Sequence, residues 1–452
     1  MYKLQDYSIK VKILNYLVFL FPLGFILGNL AINSLIFLIG IIGLINYKKE
    51  IFNFKNNKFL IFIVSFFAYL LLISIYEDFK NPKNVEVIKS ILYLRFLLFM
   101  LVIRSMINNN DLQIKYFLVL CLVFSTFVAF DVIIQQLVGK DLFGFEATQY
   151  HNSGIFNKER VAGGYISKFL FLGIFSIPLF FTSKIKKNYN LFFILIFLIG
   201  LTGILLSGNR MPSVMLVVFI FLMIIFLKNL RFVSSITLVL TILVFLTSLS
   251  FDEDYRRYYR SFYGNIINIS SLFLDTTKKY VTEKINKRTS QSSIFQEEAN
   301  VGYEGEKWEW AFWSGHSVIY LTAIDIWSDR PILGSGIKSF RERCKLKKNK
   351  YSRVCSLHPH NYYLEILTDT GLIGFILFMG PVYFLLFKNL ISRSREKIKS
   401  HQIFFYSLLF ILIIEFIPLK SSGSFFSTNS GAYIFLILGL VLSEKIKNFF
   451  RN

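Results

Sequence analysis

The chain has 452 residues, of which 54% are hydrophobic, 18% aromatic and only 17% charged, with 52 Phe and a mean hydropathy of +0.54. Soluble domains carry a charged share nearer a quarter, so the composition excludes an ordinary soluble globule. A surplus of 50 Lys and Arg over 28 Asp and Glu, +22 in all, points to nucleic acid or to a membrane surface. The apolar content excludes the first.

A bilayer core of about 30 Å takes roughly 20 apolar residues of helix. Such runs predict twelve spans, near 12–28, 32–46, 59–76, 85–106, 112–138, 161–182, 190–206, 211–228, 232–250, 363–387, 402–418 and 430–447. The first span lacks the small-residue cleavage site of a signal peptide. With the N-terminus inside, alternate connections hold 22 Lys and Arg on the inner side against 7 in the short outer turns, as the positive-inside rule requires. The expected fold is all-α and polytopic, with both termini cytoplasmic. Its parts are spans one to nine (1–250), one large outer loop (251–360) and spans ten to twelve (361–452). The loop balances 18 basic against 13 acidic residues. It carries an aromatic stretch, Trp308, Trp310, Phe312 and Trp313, read either as an interfacial anchor or as a substrate platform. Cys344 and Cys355 bracket a short basic stretch and would pair in an oxidising compartment.

Ionisable groups inside spans are costly and are functional candidates by default. Here they are Lys89, Arg95, Asp131, Lys168 and Glu415. Snorkelling suits Lys89 and Glu415; Arg95, Asp131 and Lys168 are expected to line a cavity open to the outer face. Two outer motifs add to these. The turn Ser207-Gly208-Asn209-Arg210 sets an arginine against the positive-inside bias, and a guanidinium suits phosphate. The loop ends with Arg330-Pro331-Ile332-Leu333-Gly334-Ser335-Gly336-Ile337-Lys338-Ser339-Phe340, then His358-Pro359-His360-Asn361-Tyr362-Tyr363-Leu364-Glu365. Asn361 reads as a helix N-cap, with Glu365 and Asp369 on one face after it. The His-Pro-His pair lacks a convincing third ligand, so no metal and no cofactor is expected.

These two loop motifs, with Thr370-Gly371-Leu372-Ile373-Gly374, resemble the signature of the O-antigen ligase and polymerase family. Ser207-Gly-Asn-Arg210 resembles its arginine turn, and twelve spans with a large loop after the ninth resemble its topology. The resemblance implies a polytopic glycosyltransferase of the metal-independent class in the bacterial inner membrane. It would move a glycan from undecaprenyl pyrophosphate to lipid A–core or a similar acceptor at the periplasmic face. A polymerase, with a carrier-linked repeat unit as acceptor, is the alternative; a flippase would set its charges nearer the midplane. By position Arg210 matches a pyrophosphate-holding arginine and His360 the family histidine. The family's second loop arginine has no counterpart between Arg288 and Arg330, which leaves His316, Arg288, Arg330 or Arg341 as its replacement. The expected site is therefore His360 as general base or acceptor-orienting group, with Glu365 or Asn361 orienting it. Arg210, helped by Lys168 or Arg95, would hold the pyrophosphate.

Overall fold

The computed structural model describes residues 7–53, 58–80, 85–148, 151–177, 186–251, 315–351, 355–391, 398, 402–418 and 420–448, with 186–189, 248–251, 315–318, 347–351 and 391 described by backbone alone. Helices and turns account for the described residues, with no strand among them. They are α1 (Ile9–Phe19), α2 (Phe21–Leu27), α3 (Asn29–Ile51), α4 (Lys58–Lys80), α5 (Glu86–Asn108), α6 (Ile114–Val138), α7 (Ala162–Gly173), α8 (Lys186–Leu206), α9 (Arg210–Phe226), α10 (Arg231–Phe251), α11 (Gly315–Asp329), α12 (Phe340–Tyr351), α13 (Tyr362–Leu386), α14 (Ile403–Glu415) and α15 (Thr428–Val441).

Each predicted span falls on one of these helices, the first on α1 and α2, which meet at 47°, and residues 178–182 of the sixth lie outside the described residues. Among the described residues five segments are long and apolar enough to cross a bilayer, six if that bent pair counts as one; α7, α8, α9, α14 and α15 are shorter apolar helices. A multi-pass membrane fold follows, while the number twelve rests on apolar run length and charge alternation in the sequence. The aromatic stretch at 308–313 and Arg288 lie outside the described residues, and His316 is described by backbone only.

Between helices in lipid there is no hydrophobic drive, so close packing must hold the bundle together. Rings do much of this. Phe67, Tyr93, Phe96, Phe378, Phe425, Phe426 and Phe435 interlock with centroids 4.9–6.1 Å apart. Elsewhere backbones touch: a Cβ on Gly203 would lie 2.6 Å from that of Ala129, so α8 and α6 meet without side chains between them.

Polar contacts gather at two ends of the bundle. At one, Tyr47 donates to Asp111 at 2.6 Å, Arg104 pairs with Glu444 at 3.4 Å and Lys447 donates to Asn389 at 2.8 Å. At the other lie the C-terminal ends of α4, α6, α8 and α14 and the N-terminal ends of α5, α7, α9, α13 and α15. Over this second end sit α11 and α12, joined through Ile319, Ala323, Ile326, Phe340 and Cys344. Cys344 and Cys355 form the expected disulfide, with a Cα–Cα distance of 5.9 Å.

One expectation needs correction here. Asp131 is fully buried, and its carboxylate accepts from the backbone N–H groups of Leu142 (3.0 Å) and Ile155 (2.7 Å). It satisfies amides where the chain turns after α6, and those bonds account for it without a cavity.

Candidate functional site

The motif Pro331-Ile-Leu-Gly334-Ser-Gly336 is explained by a break in the tenth predicted span. α13 departs from helical geometry at Gly371, φ 62° and ψ −167°. The amides freed there are taken up by the motif: Leu372 N donates to Pro331 O (2.9 Å) and Ile373 N to Ile332 O (3.2 Å). In return Asp369 O accepts from Ser335 N (3.1 Å) and Gly336 N (2.9 Å). The buried Asp369 carboxylate takes Lys338 N at 2.7 Å and Ser339 Oγ at 2.9 Å. Two backbones pass so closely that a Cβ on Gly334 would lie 2.4 Å from Gly371 N, and one on Gly371 2.2 Å from Ile332 O. Glycines are required at both positions.

Next in the chain stands His360, in a left-handed conformation with φ 56°. Its carbonyl accepts from Ser422 N at 2.8 Å, its Nε2 lies 3.0 Å from Ser356 Oγ, and its ring centroid is 4.2 Å from that of His358. Asn361 is the predicted cap: its Oδ1 accepts from Tyr363 N (3.0 Å) and Leu364 N (3.2 Å). Its Nδ2 reaches across to Pro418 O (2.6 Å) and Lys420 O (3.3 Å). Glu365, 2% exposed, accepts from Ser424 Oγ (2.5 Å) and Phe425 N (2.6 Å). The expected pairing of Glu365 with His360 therefore gives way to Ser356 on the ring, with both Glu365 oxygens spent on residues 424 and 425. Arg95 donates to Thr428 Oγ1 at 3.4 Å and lies over the Phe96 ring. The connection between α14 and α15 is thus a hub, touched by His360, Asn361, Glu365 and Arg95 in turn.

The cations fall into three groups around this hub. Lys338, also left-handed (φ 59°), stands where its charge acts on Glu365, Arg95 and Lys89. Lys420 pairs with Glu415 at 3.0 Å, and Lys168 lies close enough for its charge to act on both, its Nζ 5.1 Å from the Tyr433 ring centroid. The third group surrounds the arginine turn. Asn209 Oδ1 accepts from Gly163 N at 2.9 Å and its Nδ2 donates to Arg160 O at 3.1 Å, tying the start of α9 to the start of α7. Arg210 and Arg160 both act on His151; burial first, then Arg160 and Arg210, pushes that imidazole below its ordinary value. Lys168 follows Gly163 by five residues, about 7.5 Å of helical rise, so α7 links the turn to the second lysine group.

Of the proposed replacements for the missing arginine, Arg330 is bound to Glu77, which also pairs with Arg343 at 3.6 Å. That clamp holds α11 and α12 to the end of α4. Arg341 is exposed beside Glu342 (3.2 Å), over a shallow depression shared with Lys345, Ser356 and Leu357.

Sequence reading missed the hub at 418 and 420–430, together with Lys338, Lys420, Ser356 and His151. Backbone geometry marks two of the remaining parts: among the described residues the non-glycine positions with positive φ are Asn110, Asn157, Lys338 and His360. Asparagine tolerates that region, whereas lysine and histidine are held there by their surroundings.

A search of curated proteins finds no match to the chain. Residues 195–379, from within α8 to within α13, match the family model described as O-antigen ligase. The matched segment carries the arginine turn, the glycine motif, His360 and the broken helix. Over this segment the chain is similar to the O-antigen ligase family.

Proposed function

We propose that the chain transfers a glycan from undecaprenyl pyrophosphate to an acceptor hydroxyl at the periplasmic face of the bacterial inner membrane, as a ligase acting on lipid A–core or a similar acceptor. The observation that carries this reading is His360, held on left-handed backbone at the same bundle end as Arg210, Lys168 and Arg95. The C1–O bond to the carrier breaks, and its electron pair leaves with the pyrophosphate. The acceptor oxygen bonds to C1 and its proton passes to His360. Arg210, Lys168 and Arg95 offset the charge that develops on the leaving group, and preorganised cations in a site of low polarity do this well. One displacement of this kind inverts the anomeric centre.

Glu365 and Asn361 serve this chemistry by fixing the hub against His360, and Ser356 orients the ring. Arg341 and Arg330 stand above, on the side from which an acceptor would approach. The disulfide fits an oxidising periplasm. Polymerisation, with a second carrier-linked unit as acceptor, is the second reading, favoured by the absence of an arginine between Arg288 and Arg330.

The test is transfer by purified protein from a defined carrier-linked glycan to lipid A–core and to carrier-linked repeat units. Arg210→Ala and His360→Ala should each lower kcat by about 10²-fold or more. Full activity in His360→Ala would remove the base. Transfer to neither acceptor, with carrier-linked glycan trapped on the cytoplasmic side of a deletion strain, would favour transport.

A further inference from the structure

The lysine group around Glu415 is left unbalanced by every contact described so far. Glu415 is the last residue of α14, where the helix dipole disfavours a carboxylate. Its side chain is 6% exposed and that of Lys420 14%. Lys420 pairs with this one carboxylate, Lys168 lies within reach of its charge without pairing with it, and among the described residues no second carboxylate pairs with either. A positive charge held this deep, and offset only in part by the Tyr433 ring, draws an anion. The location narrows the choice of anion. Asn361 binds the Lys420 carbonyl, which places Lys420 one residue-contact from His360, and α7 carries Lys168 toward the arginine turn.

We propose that Lys168 and Lys420 form a phosphate-binding site for the diphosphate of the donor lipid, in which Glu415 is a placeholder that the diphosphate displaces. This rests on the donor proposed above. It adds Lys420 as a substrate-contacting residue, contributed by a segment beyond the family match at 195–379. Until donor arrives, Glu415 keeps the two ammonium groups apart and in place. When a diphosphate oxygen takes up Lys420, the carboxylate gives up its ion-pair partner and keeps only the field of Lys168 nearby.

The sign of the effect at Glu415 separates this from a plain structural ion pair. Full-length protein in detergent is titrated with undecaprenyl pyrophosphate, with phosphatidylglycerol and inorganic pyrophosphate as separate probes. Lys420→Met should weaken undecaprenyl pyrophosphate binding about tenfold or more, and Lys420→Arg should keep it near wild type. Glu415→Gln should tighten it by at least about twofold, because the competing carboxylate is gone. The lipid probe should bind better than inorganic pyrophosphate, with phosphatidylglycerol not competing. Weaker binding in Glu415→Gln, or unchanged binding in Lys420→Met, overturns the proposal, as does equal competition by phosphatidylglycerol. Should Lys420→Met fail to fold, Lys168→Met tests the same site. Binding is read without turnover: donor bound as expected but never transferred refutes the enzymatic reading alone, and transfer with indifferent lysine variants refutes this inference alone.

Discussion

Asn361 offers the sharpest test of how the site is held together, because one side chain does two separable jobs. Its Oδ1 caps α13 through two amides, and its Nδ2 latches the hub through Pro418 O and Lys420 O. Removing a cap costs about 1 kcal/mol, and each latch bond about 0.5–1.5 kcal/mol, so Asn361→Ala should lose about 2–4 kcal/mol in total. Asn361→Asp keeps an acceptor for the cap, with a negative charge favoured at a helix N-terminus. It also sets that charge against two carbonyl oxygens and abolishes the latch. The aspartate should therefore spare the start of α13 and loosen the hub.

Hydrogen exchange reads both effects. The Ser422 and Phe425 amides donate to His360 O and to Glu365, across the junction that the latch closes. A local loss of about 2 kcal/mol corresponds to roughly 30-fold faster exchange there. In Asn361→Asp these two amides should accelerate by about that factor while Tyr363 and Leu364 stay protected, and in Asn361→Ala all four should accelerate. Transfer should fall in both variants. Unchanged exchange at Ser422 and Phe425 in Asn361→Asp would refute the latch and leave only a capping residue.

Further outcomes follow from individual contacts. Gly371→Ala should prevent folding or sharply lower the Tm. The left-handed φ costs about 1–2 kcal/mol, and the new methyl must also push Ile332 O away from 2.2 Å. Gly380→Ala is the control, with its nearest neighbour at 3.9 Å and a gain of about 0.5–1 kcal/mol expected for a helix interior. His151 gives a pH dependence of known sign. Its folded pKa lies below the unfolded one, so the unfolded chain binds more protons and stability falls as pH drops through the ordinary histidine range. His151→Gln should flatten that acid limb of the Tm profile, and an unaltered limb would contradict the assignment. Replacing Cys344 and Cys355 by Ser should cost about 2–4 kcal/mol and quicken exchange in 355–361, and non-reducing peptide mapping should recover the pair intact.

The fold was legible because lipid imposes simple rules. Run length located the helices, since that signal is local. The cap at Asn361 and the disulfide were legible for the same reason. The break at Gly371 was not, because an apolar run reads as one helix whether or not Pro331 and Ile332 supply carbonyls to its middle. The hub was illegible for a related reason: Ser421, Ser422, Gly423 and Ser424 have no chemistry of their own. Ser422 and Ser424 matter through His360 and Glu365, some sixty residues away. Arg210 stood out by its place against the positive-inside bias, whereas His360 drew its role from resemblance to a family pattern.

The acidic residues of this bundle end show why intramembrane carboxylates misled a reading that took charge for function. In a bilayer an unsatisfied amide costs several kcal/mol, and every turn or break at a helix end frees some. Asp78 accepts from the Glu86 and Val87 amides, Asp131 from Leu142 and Ile155, and Asp141 from Phe143 and Phe145. Glu365 takes one amide and one hydroxyl, and Asp369 one amide and two hydroxyls. Five carboxylates are thereby spent on the backbone, where a neutral amide side chain would bind less strongly. Among the described residues Arg95, Lys168 and Lys338 form no ion pair with a carboxylate. The architecture uses its acids to hold its own turns and leaves an excess of cations at the same end. That separation of roles suits a site whose substrate arrives carrying the negative charge.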